Sequence, residues 1–119
     1  MNIVLNNSSQ TPLYLQIYEQ IVSQILNKEL LPDYALPSIR YVARELEISV
    51  ITIKNAYELL EKNGYIYTIA GKGCFVANID LTQTKREQLN HQVSKILYFC
   101  KQYDISINEI ISELEKRSQ

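Results

Sequence analysis

Very little in this sequence loosens or cross-links a chain. Three glycines and three prolines in 119 residues exclude collagen-like and linker-like polymers. Cys74 and Cys100 are the only cysteines, too few for a disulfide scaffold and without Cys-x-x-Cys spacing. His91 is the only histidine, so a metal centre would need thiols or carboxylates at ligand spacing, and none stand so. Both cysteines read as small buried hydrophobes. No stretch of about 18 apolar residues occurs. The start, Met1-Asn2-Ile3-Val4-Leu5-Asn6-Asn7, has neither the basic residues nor the apolar run of a signal peptide. These absences predict a cytoplasmic protein with reduced thiols, no membrane association, no metal and no cofactor. Excess charge of either sign is missing too: 12 Lys and Arg stand against 13 Asp and Glu. Residues 1–80 hold six basic and eight acidic side chains, and residues 81–119 six and five. Any grip on nucleic acid must therefore come from where cations sit, because their number gives no basic balance.

What is present is periodic. Thr11-Pro12 joins a capping residue to a proline suited to a first helical turn. Behind it Leu13, Ile17, Ile21 and Ile25 recur every fourth residue, which predicts an amphipathic helix from residue 12 to about 28. Pro32 and Pro37 enclose a loop where neither a helix nor a ladder continues easily. Ser38 caps a short second helix with Ile39, Val42, Ala43 and Leu46 inward. Ser49 caps a third, striped by Ile53, Ala56, Tyr57 and Leu60 and stopped by Asn63-Gly64. The period then changes: Tyr65–Ile69 and Cys74–Ala77 are rich in aromatic and β-branched residues around the turn Ala70-Gly71-Lys72-Gly73, a hairpin signature. Three helices and a hairpin make a winged helix-turn-helix, mainly α with a small β-hairpin, spanning residues 1–80.

Residues 81–119 are expected to form a C-terminal helical hairpin for dimerisation. From Leu81 the chain is polar, then Leu89, Val93, Ile96, Leu97 and Cys100 form a stripe, broken at Asp104-Ile105. Ser106-Ile107-Asn108-Glu109 is a capping box, and Ile107, Ile110, Ile111 and Leu114 mark a last helix. Two short helices bearing Leu89, Val93, Leu97, Ile107, Ile110, Ile111 and Leu114 cannot close a core between themselves. A two-fold copy would cover them; packing back on the winged domain is the alternative. Tyr98, Phe99 and Tyr103 suit packing better than a ligand pocket. An effector site at the subunit interface has room, though no residue identifies one.

A helix-turn-helix reads DNA by placing the start of its second helix in the major groove while the neighbouring elements brace on phosphate. Arg40, Arg44 and Lys54 sit at the two helix starts and outer faces, and Lys72 at the wing tip between Gly71 and Gly73. Ser38 and Ser49 can cap helices or meet phosphate. Thr52 and Asn55 offer polar groups to bases, and Val50 and Ile51 offer methyl contact with thymine. Gly71-Lys72-Gly73 lacks the strand-loop-helix setting and following hydroxyl of a nucleotide loop. No paired carboxylates or nucleophile-base set suggests catalysis.

Leu36-Pro37-Ser38-Ile39-Arg40, Ala43-Arg44-Glu45-Leu46, Ala56-Tyr57-Glu58-Leu59-Leu60, Asn63-Gly64 and Gly71-Lys72-Gly73-Cys74-Phe75-Val76 together resemble the GntR superfamily of bacterial transcription regulators. Pro12-Leu13-Tyr14-Leu15-Gln16-Ile17-Tyr18 looks like that family's first helix, and the short tail is similar to the YtrA-type subfamily, whose last helices dimerise. The resemblance implies a homodimeric repressor on an inverted-repeat operator in double-stranded DNA, with contacts from Arg40, Ser49, Thr52, Lys54 and Gly71. Departures from the family pattern fall at Asp33-Tyr34 and Glu47, where it has glycine. Val50-Ile51 replace an Arg or polar opening of the recognition helix, and Thr68-Ile69-Ala70 replace basic residues before the wing glycines. These losses of cations frame a second reading, a winged-helix protein-interaction module that docks through Val50 and Ile51. Interruption of the positive face by Glu47 or Glu58 would favour it.

Overall fold

The structure, a computed structural model, describes residues 1–118. In chain order its elements are α1 (Leu13–Leu26), α2 (Ile39–Leu46), α3 (Val50–Lys62), β1 (Ile66–Ile69), β2 (Gly73–Val76), α4 (Leu81–Tyr103) and α5 (Ile107–Arg117). The mainly helical class with one antiparallel hairpin is as expected. One compact unit covers Met1–Leu81 and a second begins at Thr82.

The first unit is organised by the four-residue stripe of α1. Ile17, Ile21 and Ile25 are buried and meet Ile53, Ala56, Tyr57 and Leu60 of α3. Val42 and Ala43 of α2 close a second side of α3, and Ile66 and Val76 bring the hairpin against it. Ile17, Ile21, Ile53, Leu60 and Val76 are essentially fully buried, each contributing about 1.5–3 kcal/mol relative to exposure. The recognition-type helix α3 is thus held on its inner face by all its neighbours, which leaves its outer face presented without freedom to roll.

The second unit differs from expectation in length. α4 runs 23 residues, whereas a short helix was expected. The polar stretch Thr82–Glu87 offers no apolar stripe, but it contains no Gly or Pro, and Gln, Lys, Arg and Glu propagate a helix well once started. The capping box of α5 is present: Ser106 N–H donates to Glu109 Oε2 (3.0 Å) and Glu109 N–H to Ser106 Oγ (3.2 Å). Among the described residues no helix is long and apolar enough to cross a membrane.

Three features of the first unit correct the sequence reading. Residues 1–6, to which no element was assigned, run extended along α1. The side-chain amides of Gln16, Gln20 and Gln24 act as surrogate peptide groups for Asn6, Val4 and Asn2, each accepting from the backbone N–H and donating to the backbone carbonyl. The middle pair has Val4 N–H to Gln20 Oε1 at 2.9 Å and Gln20 Nε2 to Val4 O at 2.7 Å. Met1, Ile3 and Leu5, which alternate with Asn2, Val4 and Asn6, pack on the core. Nor is the cap of α1 as expected. Pro12 itself holds the cap position with no side-chain bond, and the Thr11 carbonyl accepts from Gln16 Nε2 at 2.8 Å. The third correction concerns the loop between the prolines, which does join a ladder. Leu36 N–H donates to Cys74 O (2.9 Å), Val76 N–H to Tyr34 O (2.9 Å) and Asp33 N–H to Val76 O (2.8 Å). Prolines at both ends leave the donors between them free to pair with β2.

Four helices end in the same six-residue closure, in which the residue after a left-handed position donates back to a carbonyl five residues earlier. For α3 the left-handed residue is Gly64 (φ +81), as Asn63-Gly64 predicts. For α1, α2 and α4 it is Lys28, Glu47 and Asp104. At the turn between α2 and α3, Glu47 has φ 55 and ψ 44, and Ile48 N–H donates to Ala43 O at 3.0 Å. The geometry that glycine would make easy is therefore kept by a side chain that resists it.

Candidate nucleic-acid interface

The interface is assembled from the starts of α2 and α3 and from the hairpin tip. Ser38 Oγ accepts from Tyr41 N–H at 3.1 Å and so serves as the cap of α2. Arg40 is exposed on the first turn of that helix and Arg44 on its last. Ser49 Oγ accepts from Thr52 N–H (3.3 Å) and lies 2.7 Å from Thr52 Oγ1, so both hydroxyls of the first turn of α3 are already engaged. Helical periodicity puts Val50, Ile51, Lys54, Asn55 and Glu58 on the outer face of α3, all of them exposed, while Ile53, Ala56 and Tyr57 face the core. Val50 and Ile51 retain 48% and 57% of their surface.

Gly71 (φ +78) and Gly73 (φ +116) flank exposed Lys72. The Lys72 N–H donates to Ile69 O at 2.9 Å and closes the turn. An L-residue at either glycine would be strained, although open space surrounds both.

Arg40 and Lys72, 32 residues apart in sequence, line one cleft of about 540 Å³ with Ser38, Gly73, Tyr57 and Cys74. Among the described residues no carboxylate lines this cleft. A second cleft, of about 460 Å³, shares Ile39, Tyr57 and Cys74 with the first and adds Lys54, Glu58, Glu61, Lys62 and Thr68. Here charge is mixed: Lys54 Nζ stands 3.9 Å from Glu58 Oε1 with both side chains exposed, and Thr68 Oγ1 donates to Glu61. The exposed ion pair is weak. Arg44 lines neither cleft. Arg40, Lys72, Ser38 and Gly73 are thus brought together, with Lys54 adjoining them, while Arg44 stands apart.

Sequence reasoning passed over what locks these elements to one another. The Tyr57 hydroxyl, on the inner face of α3, donates to Pro37 O at 2.7 Å and ties the third helix to the residue before the cap of α2. Burial, with lesser effects from Cys74 and Tyr34, pushes the Tyr57 hydroxyl pKa well above its ordinary 10. The Tyr67 hydroxyl donates to Asp33 Oδ1 at 2.7 Å, which fastens the hairpin to the inter-proline loop, and this bond to a carboxylate also raises its pKa. Tyr67 stacks on Phe75, ring centroids 5.5 Å apart. The available signal was the Pro37 carbonyl itself, left without a helical partner beside a capped helix.

In the second unit Leu89, Val93, Leu97, Ile107, Ile111 and Leu114 are exposed within the single chain, and Ile110 is half-buried. Among the described residues of that unit Cys100 alone is buried, and Phe99 and Tyr103 lie 4.7 Å apart, centroid to centroid. Cys74 is half-buried with its sulfur 3.4 Å from Thr68 Oγ1. Among the described residues no three His, Cys, Asp or Glu side chains cluster as a metal site would require.

Comparison with known proteins places this geometry. The family model for bacterial regulatory proteins, gntR family, matches residues 13–76. The HTH-type transcriptional repressor NagR of Bacillus subtilis (strain 168) is 42% identical over 83 residues, covering 70% of this chain and 33% of that repressor. The chain thus spans about a third of NagR. The HTH-type transcriptional repressor YtrA of the same organism is 30% identical over 98 residues, 80% of this chain and 75% of YtrA. Among solved structures, a transcriptional antiterminator from Listeria monocytogenes EGD-e superposes with a TM-score of 0.76 at 27% identity, covering 100% of this chain and 91% of the other. AraR(DBD) in complex with operator ORR3 superposes with a TM-score of 0.55 at 31% identity, over 65% of this chain and 93% of that one.

Proposed function

The chain belongs to the gntR family of bacterial regulatory proteins, a family of DNA-binding transcription regulators and not of enzymes, and its likeness to YtrA runs beyond the winged unit. From that premise we propose that it is a repressor acting in the cytoplasm as a homodimer on an inverted-repeat operator. In this reading residues 1–80 bind the duplex and residues 81–119 dimerise.

The single observation that carries the reading is the cleft where Arg40 and Lys72 converge without a carboxylate, beside the exposed start of α3. Two cations from separate elements, a capped helix start and a glycine-flanked tip offer phosphate its usual partners. In the proposed pose Val50, Ile51, Lys54 and Asn55 enter the major groove. Ser38, Arg40, Arg44, Ser49 and Thr52 meet the backbone or the groove edge, and Gly71, Lys72 and Gly73 follow the adjacent minor groove with the Lys72 ammonium on its flanking phosphates. The exposed apolar side chains Leu89, Val93, Leu97, Ile107, Ile111 and Leu114 support a dimer, since a single chain leaves them in water, and Ile110 would join them. The superposition on AraR(DBD) in complex with operator ORR3 supports the DNA partner.

Selection of bound fragments from genomic DNA, with sedimentation of free and bound protein, tests this. The expected result is a two-fold symmetric site bound by two chains. Monomers on asymmetric sites would refute the dimer, and recovery of no duplex would refute the regulator. The second reading, a protein-docking winged helix, draws on Glu58 beside Lys54 and on the mixed charge of the second cleft. A chain that recovers a protein partner through Val50 and Ile51 but no duplex would establish it.

A further inference from the structure

The outer face of α3 opens with hydrocarbon. Val50 and Ile51 are its first two residues and retain about half their surface. Nothing inside the fold needs them there, because the inward stripe is filled by Ile53, Ala56, Tyr57 and Leu60. The hydroxyls of the same turn are turned to each other: Ser49 Oγ and Thr52 Oγ1 share one bond and Ser49 Oγ also takes the Thr52 N–H, which leaves a single hydroxyl proton to offer outward. Lys54, one turn on, lies within 4 Å of Glu58. Where a helix start usually presents donors and acceptors, this one presents methyl groups.

The one sizeable apolar group in the major groove of B-form DNA is the C5 methyl of thymine, and the distinguishing features of the other base edges are donors and acceptors. Pressing a β-branched side chain on those polar edges would strip their water without replacing their hydrogen bonds, which is costly. Pressing it on thymine methyls buries apolar surface on both sides. The cations of Arg40 and Lys72 on the neighbouring cleft favour a polyanion over an apolar protein surface at this place. Asn55, on the same face and with its side-chain amide unpaired among the described residues, suits an adenine edge in the same A·T-rich stretch.

We infer that Val50 and Ile51 are specificity-determining residues that read thymine through its C5 methyl, so that the operator half-site bears thymine where α3 starts. This rests on the reading of α3 as the groove-facing helix and goes beyond it by naming the chemical group that is read.

Replacing thymine with deoxyuridine removes that methyl and leaves base pairing intact. Half-sites are first selected from random duplexes with the full chain, and each thymine is then replaced in turn. Affinity is measured for the unmodified protein and for the V50A/I51A double substitution, which leaves the buried stripe of Ile53, Ala56, Tyr57 and Leu60 untouched and whose melting temperature is followed alongside. At one or two positions per half-site, uracil weakens the unmodified protein about fourfold for each methyl lost. In V50A/I51A the same replacement has no effect. The inference is overturned if uracil is tolerated everywhere, if its cost persists in the variant, or if selected half-sites lack thymine. Failure to select any duplex would instead overturn the DNA-binding reading, and this inference with it.

Discussion

Replacing Glu47 with glycine, in the turn between α2 and α3, is predicted to stabilise the protein. Glu47 sits at φ 55, ψ 44, inside the closure formed by Ile48 N–H on Ala43 O and Glu47 N–H on Arg44 O. Holding an L-residue in the left-handed region costs about 1–2 kcal/mol. Glycine removes that cost but restores about 0.5–1 kcal/mol of freedom to the unfolded chain. The difference leaves E47G more stable by about 0.5–1 kcal/mol. For a unit of this size that raises the melting temperature by about 2–8 °C. Gly64 closes α3 in the same way at φ +81, and a Cβ there would meet nothing within 4 Å. G64A therefore pays the backbone cost alone and is expected to melt lower by a similar amount. Both melts can be followed through the near-ultraviolet signal of Tyr57 and Tyr65, which are buried in the same unit. Two left-handed closures with shifts of opposite sign are a stringent demand. A lower melting temperature for E47G, or a higher one for G64A, would refute the argument that backbone conformation decides these positions.

Other consequences can be checked separately. Q20A removes both bonds that hold Val4 and is expected to cost about 1–2 kcal/mol, with faster hydrogen exchange at the Val4 amide; unchanged exchange would show that the glutamine ladder does not hold the strap. L60A empties a fully buried position between α1 and α3 and is expected to cost about 2–5 kcal/mol in a denaturant titration. Alkaline stability follows from Tyr57, whose folded pKa is raised. Below pH 10 its contribution is whole, and it drains as pH climbs beyond 10, because the unfolded chain sheds a proton that the fold retains. Y57F is expected to flatten that alkaline decline while losing the bond to Pro37 O, and an unaltered pH profile would contradict the assignment.

The parts of the fold that were legible in the sequence are those whose signals are local. Ser38, Ser49 and Ser106 announce their helices because a cap needs only the next three residues, and each caps as expected. The stripe of Ile17, Ile21 and Ile25 defines α1 because burial repeats with the helical period. The N-terminal strap escaped because its partners are amides 10 to 22 residues away. Gln16, Gln20 and Gln24 at four-residue spacing, together with apolar residues at the alternate positions 1, 3 and 5, were the missed pattern. The pairing of residues 33–36 with β2 escaped because proline forbids a donor only at its own position. On the candidate interface, helical arithmetic exposes Val50, Ile51, Lys54 and Asn55. It could not reveal that Arg40 and Lys72 share a cleft, or that Glu58 stands beside Lys54, since those distances are set by tertiary packing.

The proposed grip of a near-neutral chain on a duplex depends on the convergence of a few cations, and the salt dependence of operator binding by R40A/K72A measures that directly. Each lost phosphate contact lowers the slope of log affinity against log salt by about 0.9. A dimer that loses both side chains from each subunit should show a slope shallower by about 3–4, with its melting temperature unchanged. A slope equal to that of the unmodified protein would mean that Arg40 and Lys72 do not touch the phosphates, and that the cleft between them is not where DNA binds.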